Sequence, residues 1–561
     1  MKGLLHRQML LLFVIRAASA LNPDGITHDP MEIFYVNQQV GEIKLRVSKQ
    51  NITQAFLVVG TRRMQMNVGY RDANFDYYVA NLTPFDSTLA YGFILRDGTD
   101  SLRLPAEGSF HAHAARLQIP EWSAGNIVYL INPDGFFNGD INNDPADKNE
   151  WGNKPNDWLP YGGDLEGIAQ KMDYISSLGP DVILLSPIFA ANSNHKMNPR
   201  DYASVDPAYG DTIDVKRLIA AAHGAGKKIV LNVVFTHTGT DFPAFADIVT
   251  NGRSSRYTDW YRIRSMPTDS SGFIYNSWRS DERFPLLNLH NQTLQSYLIG
   301  FIDYWTHFGL DGFYVGESED IDQGFMKALY DHLKSKHPEL FIITSDYHVR
   351  ELPNNDGCLD RQFTRAMLAY FVNNDISTAA FDSIIHNMLF FEPAQLNCTR
   401  MNGFYDYSKR IGMLVNAKLC KVMYAFVFTF CGSPLLLYGD EIGMSDCTSL
   451  NWGSFDWNKD QEDVDLLRTI RSLVRIRKEN PQIRDRYFFT LYIDDIKKVY
   501  AYDRGGIIVA LNSGTGQSFV ELPAWDGTYV DLMDGTKYTA FEQKLRFSID
   551  PISFRILKRE I

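Results

Sequence analysis

Between Leu294 and Gly316 the chain pairs a helix with a buried strand, and this unit narrows the possible folds more than any other stretch. Leu294, Tyr297, Leu298, Phe301, Ile302, Trp305 and Phe308 recur at helical spacing, and Gly309 stands where that helix must close. Asp311-Gly312-Phe313-Tyr314-Val315-Gly316 then forms a short apolar run fit for a strand. The same rhythm begins near Asn126: Ile127 to Ile131, Asp181 to Leu185 and Lys228 to Phe235 suit strands buried on both faces, with helical segments between them. Leu340 to Thr344, Ala366 to Phe371, Met388 to Phe391 and Pro434 to Tyr438 are further candidate strands. Such units build a parallel α/β barrel, whose catalytic side chains project from the C-terminal ends of its strands.

The flanks have a different texture. From about Leu21 to Pro120 the runs are short and alternating, as in Glu42 to Val47, Ala55 to Val59 and Tyr91 to Arg96, the last closing on Asp97-Gly98. This pattern predicts a β-sandwich over residues 21–120. After a helix from Val464 to Arg477, alternation returns from Tyr487 to Leu557 and predicts a second sandwich over 481–561. The barrel then spans 121–480, and an excursion from His237 to about Asn291 interrupts it after the third strand.

A formal net charge of −12 argues against nucleic acid as the main partner. Aromatics at 13% suit a sugar-binding surface and a packed core equally. Lys2 and Arg7 precede an apolar run from Met9 to Ile15, and Ala18-Ser19-Ala20 offers a small-x-small cleavage site. These features predict a cleaved leader over 1–20 and a secreted or periplasmic protein. No later run is long and apolar enough for a membrane span. The five cysteines, Cys358, Cys398, Cys420, Cys431 and Cys447, follow no metal-ligand spacing, and one at least is left over from any pairing. Sequons at Asn51, Asn81, Asn291 and Asn397 are acceptors only in a eukaryotic secretory pathway.

Several motifs occur in a fixed order. Val128 to Asp134 is followed by Phe137-Asn138-Gly139-Asp140, then Tyr161 to Ile168, Asp201-Tyr202, Val205 to Gly210, Phe284-Pro285-Leu286-Leu287-Asn288, Gly432-Ser433-Pro434 and Tyr438 to Met444. In this order they resemble glycoside hydrolase family 13, the α-amylase family, in its neopullulanase and cyclomaltodextrinase-like branch. The resemblance covers about 126–480 well and the flanks by layout. It implies a (β/α)8 TIM barrel between β-sandwiches, an α-glucan or other carbohydrate as partner, and a homodimer through the N-terminal module.

Asn138, Asp140, Asn143 and Asp144 stand at offsets that can wrap oxygen ligands around a calcium ion. The resemblance completes that shell from Gly162 and Asp164. An Asx-rich turn capped by its own side chains is the alternative reading.

Retaining glycoside hydrolysis needs two carboxyl groups about 5–5.5 Å apart. Motif by motif this chain departs from the family. The nucleophile position is Gly316, and its companion Arg is Tyr314. The general acid falls on Asp346, one methylene shorter than the family's Glu, and the third carboxylate on Asn397. On the third strand the leading Asp becomes Asn232, while His237, a sugar-hydroxyl donor in the family, is kept. His195 and Lys196 precede Met197 where the family has its sugar-flooring Tyr. Glu317 follows Gly316, and if the strand runs on, alternation turns it away from the barrel mouth. These substitutions predict a catalytically inactive glucan-binding or scaffold protein. The alternative is an α-glucan hydrolase or transglycosylase with a non-standard carboxylate pair.

Overall fold

The computed structural model describes residues 21–28, 34–35, 41–71, 74–83, 89–112, 119–266, 272–345, 354–391, 401–403, 409–449, 451–457 and 465–560. The expected leader, Asp346, Asn397 and Cys398 lie outside these residues.

Residues 1–114 form one compact unit and 115–561 another. The described part of the first is a sandwich of two antiparallel sheets, in which Gly41–Ser48 pairs with Phe75–Leu82 and Gln54–Val59 with Ala90–Asp97. Ile43, Leu45 and Val47 alternate inward from one sheet to meet Leu57, Phe93 and Leu95 from the other. Two sequons have structural duties. Asn51 is buried, with its amide exchanging hydrogen bonds with the Asn22 backbone, and the Asn291 carbonyl caps a helix through Leu294 N–H.

In the second unit, eight parallel strands occur among the described residues. They are β1 (Val128–Ile131), β2 (Val182–Leu185), β3 (Lys228–Val234), β4 (Gly312–Gly316), β5 (Phe341–Thr344), β6 (Gly357–Cys358), β7 (Met401–Gly403) and β8 (Ser433–Leu437). They neighbour one another in the order β6-β5-β4-β3-β2-β1-β8-β7, and a parallel bridge from Leu359 to Met401 closes the ring. Covered on both faces, β1, β2 and β3 are rich in Val, Ile and Leu. The helix before β4 is Gln292–Thr306, with Leu294, Leu298, Phe301, Ile302 and Trp305 buried and Gly309 left-handed at φ +92° just after it. Gly312 opens β4 because a Cβ there would stand 2.1 Å from the carbonyl oxygen of Phe341 on β5.

Two expected strands are helical instead. Ala366 to Phe371 lies in the α-helix Arg361–Met367 and its π-helical continuation Leu368–Val372, and Met388 to Phe391 ends the helix Thr378–Phe391. The first run serves helix packing: Phe371 contacts Phe381 of the helix Thr378–Phe391 and Phe426 of the helix Ala417–Thr429. The true sixth and seventh strands escaped because each is three residues or fewer and carries Gly, Cys or Asn. Asn397 precedes β7 in the sequence and lies outside the described residues. The segment following β7 contains Asp406, which lies outside the described residues.

The C-terminal layer is one eight-stranded antiparallel sheet folded on itself. Its strands are β9 (Phe489–Asp494), β10 (Val499–Asp503), β11 (Ile507–Asn512), β12 (Ser518–Pro523), β13 (Gly527–Asp531), β14 (Lys537–Phe541), β15 (Lys544–Ile549) and β16 (Ser553–Arg559). No described helix is long and apolar enough to cross a membrane.

Candidate active site at the barrel mouth

The C-terminal end of β4 places Gly316 beside β3, in register with Val234, while Tyr314 pairs with Asn232. The backbone at Gly316 is not left-handed, so conformation does not demand glycine there. A Cβ at that position would stand 3.1 Å from Asn232 Oδ1, the end of a side chain that can turn aside. Asn232 Oδ1 is buried and has no hydrogen-bond partner among the described residues.

Glu317 departs from the expectation that it faces away. β4 stops at Gly316, and Glu317 takes a left-handed conformation, φ 52° and ψ 37°, which breaks strand alternation. Its carboxylate is buried and lies 3.7 Å from both Arg279, in the excursion after β3, and Arg361, just beyond β6. Both arginines stand in segments that follow strand ends, so this acid belongs to the barrel mouth. Lys196, Arg279 and Ser280 are also left-handed non-glycine residues in loops on this face. Each costs on the order of 1–3 kcal/mol, and such strain concentrates at working sites.

Arg279 covers the Trp278 ring at 4.1 Å, and Trp278 stacks on His237 with ring centroids 4.9 Å apart. Phe284 meets the edges of both His237 and His195. The returning segment Pro285 to Leu287 pins this cluster by bonding to Thr236 and Thr238. Burial drives the His237 imidazole down to about 3 and His195 to about 4, so both rings are neutral in the physiological range. The Thr236 hydroxyl lies 2.8 Å from His237 Nδ1. The structure thus brings together Asn232, His237, Tyr314, Gly316 and Glu317, with His195 joining through Phe284. Trp278, Arg279 and Arg361 were not legible, since they reach the site from loops that no local pattern places there.

The motif after β8 has a structural task. Arg410 is wholly buried and donates to Asp440 Oδ1 at 2.8 Å and to the carbonyls of Tyr438 and Trp452. Glu441 accepts from the hydroxyls of Tyr129 at 2.5 Å and Tyr174 at 2.8 Å. Burial raises the Glu441 carboxyl from 4.5 to about 7. A raised acid contributes stability that is complete below its unfolded value and is lost as pH climbs through the folded one. Stability is therefore expected to fall between about pH 4.5 and 7, by about 3 kcal/mol from this residue. Glu441→Gln should flatten that slope in denaturation curves; an unchanged slope would assign it elsewhere.

At the candidate cation loop, Asn138 Nδ2 donates to Asp144 Oδ1 at 2.6 Å, and a Cβ on Gly162 would meet that same oxygen at 2.5 Å. Asp164 caps the helix Leu165–Gln170 and also accepts from Gly139 N–H, Asp140 N–H and the Asn143 amide. Its carboxylate clamps the loop. Asp140 accepts from Asn142, and Lys148 sits 2.5 Å from Asp144 Oδ2. Asn138 Oδ1 and Asn143 Oδ1 are buried without a partner among the described residues, as amide ligands to a hard cation would be.

The eight-stranded parallel barrel, with an excursion after β3 and His, Trp, Arg and Glu at its mouth, places the chain in the TIM-barrel class. The family model for the α-amylase catalytic domain matches residues 130–378, and that for the α-amylase N-terminal Ig-like domain matches 22–120. The chain is 30% identical over 495 residues to a cyclomaltodextrinase of Thermoanaerobacter pseudethanolicus, covering 81% of this chain and 84% of that one. It is 30% identical to the intracellular maltogenic amylase of Bacillus subtilis, with 76% and 78% covered, and 27% identical to neopullulanase 2 of Thermoactinomyces vulgaris, with 87% and 89% covered. A solved cyclomaltodextrinase shares the fold at a TM-score of 0.87 and 24% identity over 96% of this chain and all of that one. The chain belongs to the α-amylase family, glycoside hydrolase family 13, in its cyclomaltodextrinase and neopullulanase-like branch.

Proposed function

We propose that the protein acts on α-glucans at the C-terminal face of its barrel, cleaving or transferring glucosidic bonds with a carboxylate set that differs from the family's. The observation that carries this reading is Glu317: a buried carboxylate immediately after the vacant nucleophile position, paired with two guanidinium groups beside the His237–Trp278 stack. The names of the relatives, cyclomaltodextrinase, maltogenic amylase and neopullulanase, support an α-glucan as the substrate class. The Glu317 carboxyl is the proposed group for attack at, or charge stabilisation of, the anomeric carbon, and Asp346, two residues past β5 in the sequence, the proposed donor to the leaving oxygen.

A second reading, binding without cleavage, is favoured by Gly316, since the residue that would bond covalently to sugar in the family has no side chain here. Incubation with maltooligosaccharides, cyclodextrins and pullulan separates the two. Released reducing ends support the first; calorimetric binding without release establishes the second; neither binding nor release refutes both.

We also propose a structural calcium ion in the loop of Asn138, Asp140, Asn143 and Asp144, completed by Gly162 and Asp164. Its chemistry there is purely structural, holding a loop beside the barrel mouth. Chelation is expected to lower the melting temperature, by the equivalent of about 3 kcal/mol at a hundredfold excess of ion over its Kd. Asn138→Ala should abolish that sensitivity; a melting temperature indifferent to chelator would dispose of the ion. Export with loss of residues 1–20, and dimerisation through the N-terminal module, belong to the same reading. A mature chain beginning at Leu21 and the mass in solution test them.

A further inference from the structure

The C-terminal sheet carries a groove of about 540 Å³ remote in sequence from every motif discussed above. That volume falls in the range of about 300–1,000 Å³ usual for small-ligand sites. One wall is aromatic: Tyr487, Phe489 on β9 and Trp525, which follows β12. All three are conspicuously exposed, Trp525 at 73%. The Trp525 indole has no ring partner among the described residues, so its faces are open. The polar rim comes from Asp503, at the end of β10, and Gln543.

The electrostatics narrow the ligand. Among the described residues no Lys, Arg or His lines the groove, which argues against phosphate or carboxylate ligands. Its one acid, Asp503, already accepts from Gly506 N–H at 2.7 Å and from the Tyr487 hydroxyl at 3.3 Å, so it presents hydrogen-bonding capacity more than a bare charge. Gln543 is held with unusual care. Glu542 and Gln543, in the turn between β14 and β15, are both left-handed, at φ 54° and 59°, where glycine would be easier. Asp526 Oδ1 accepts from Gln543 N–H at 2.6 Å, and Ala524 N–H donates to the Gln543 carbonyl at 3.0 Å. These bonds tie the strained turn to the segment bearing Trp525.

Open aromatic faces with neutral hydrogen-bonding groups at their edge match a sugar, which has apolar ring faces and a girdle of hydroxyls. We propose that this groove is a second α-glucan-binding site, which holds outer glucose units of a polymeric or long-chain substrate by stacking on Trp525 and Tyr487 while Asp503 and Gln543 bond their hydroxyls. The proposal rests on the α-glucan reading of the barrel mouth for its ligand class.

Native electrophoresis of the full chain through gels containing soluble amylopectin tests it. Trp525→Ala and Tyr487→Ala are expected to weaken retardation on the order of tenfold. Phe519→Ala, removing an aromatic of 59% exposure that does not line the groove, should migrate as wild type. Glu317→Gln, run beside them, reports on the mouth alone. Retardation of Trp525→Ala equal to wild type overturns the proposal whatever the turnover assay shows. Absence of retardation in the wild type overturns it as well, and self-association that depends on Trp525 but not on glucan would reassign the groove to a second copy of the chain. Trp525-dependent retardation without any turnover supports the groove while removing only the catalytic reading.

Discussion

Glu317→Gln is expected to lower release of reducing ends from cyclodextrin or maltooligosaccharide by at least about a hundredfold, with kcat taking the loss and KM little changed. The substitution keeps the side chain's shape and removes the charge that Arg279 and Arg361 flank, so the effect reads the carboxylate and not the fold. Arg279 is half exposed and Arg361 about a quarter, so water compensates both once the acid is gone, and the melting temperature should move little. A variant within threefold of wild type would strike Glu317 from the chemistry. If the wild type proves inert, the informative substitution is Gly316→Asp. Asn232 Oδ1, 3.1 Å from the new Cβ, is the nearest obstacle and can rotate, so the strand should accept the side chain. Gain of turnover in that variant would confirm that the binding-only state follows from one missing carboxylate.

The second large effect is on stability. Arg410→Met is expected to cost about 3–5 kcal/mol, because it strands Asp440 without its cation in a site closed to water. It also deprives the Tyr438 and Trp452 carbonyls of their donor. The Tyr424 hydroxyl, 2.9 Å from Asp440 Oδ2, remains but cannot replace a guanidinium. Denaturant titration of the full chain reads the loss as a lower midpoint. Arg410→Met combined with Asp440→Leu should recover much of it, since removing both charges ends the desolvation penalty that the single change exposes. A single variant as stable as wild type would show that this pair is dispensable to the eighth strand's loop.

Much of the architecture was legible because parallel barrel strands are apolar throughout and amphipathic helices repeat at a fixed period. The runs at 127–131, 181–185 and 228–235 contain β1, β2 and β3, and the helix at 464–477 appears as Asp465–Glu479. Strands six and seven failed that test. Gly357-Cys358 and Met401-Asn402-Gly403 are too short for periodicity to register, and the longer apolar runs nearby won the assignment although helix packing claims them.

What the sequence determined by itself is chemical identity at fixed places: glycine at 316, histidine at 237, an amide-rich loop at 138–144, and motifs in a family order. Those facts hold in any conformation. Tertiary structure alone decided which way Glu317 points, because one left-handed residue cancels the two-residue alternation from which its direction is inferred. It also decided that arginines distant in sequence, Arg279 and Arg361, meet that carboxylate at 3.7 Å. Local patterning carries the period of an element but not the company its end keeps, since that depends on which loops the closed barrel brings to the same face.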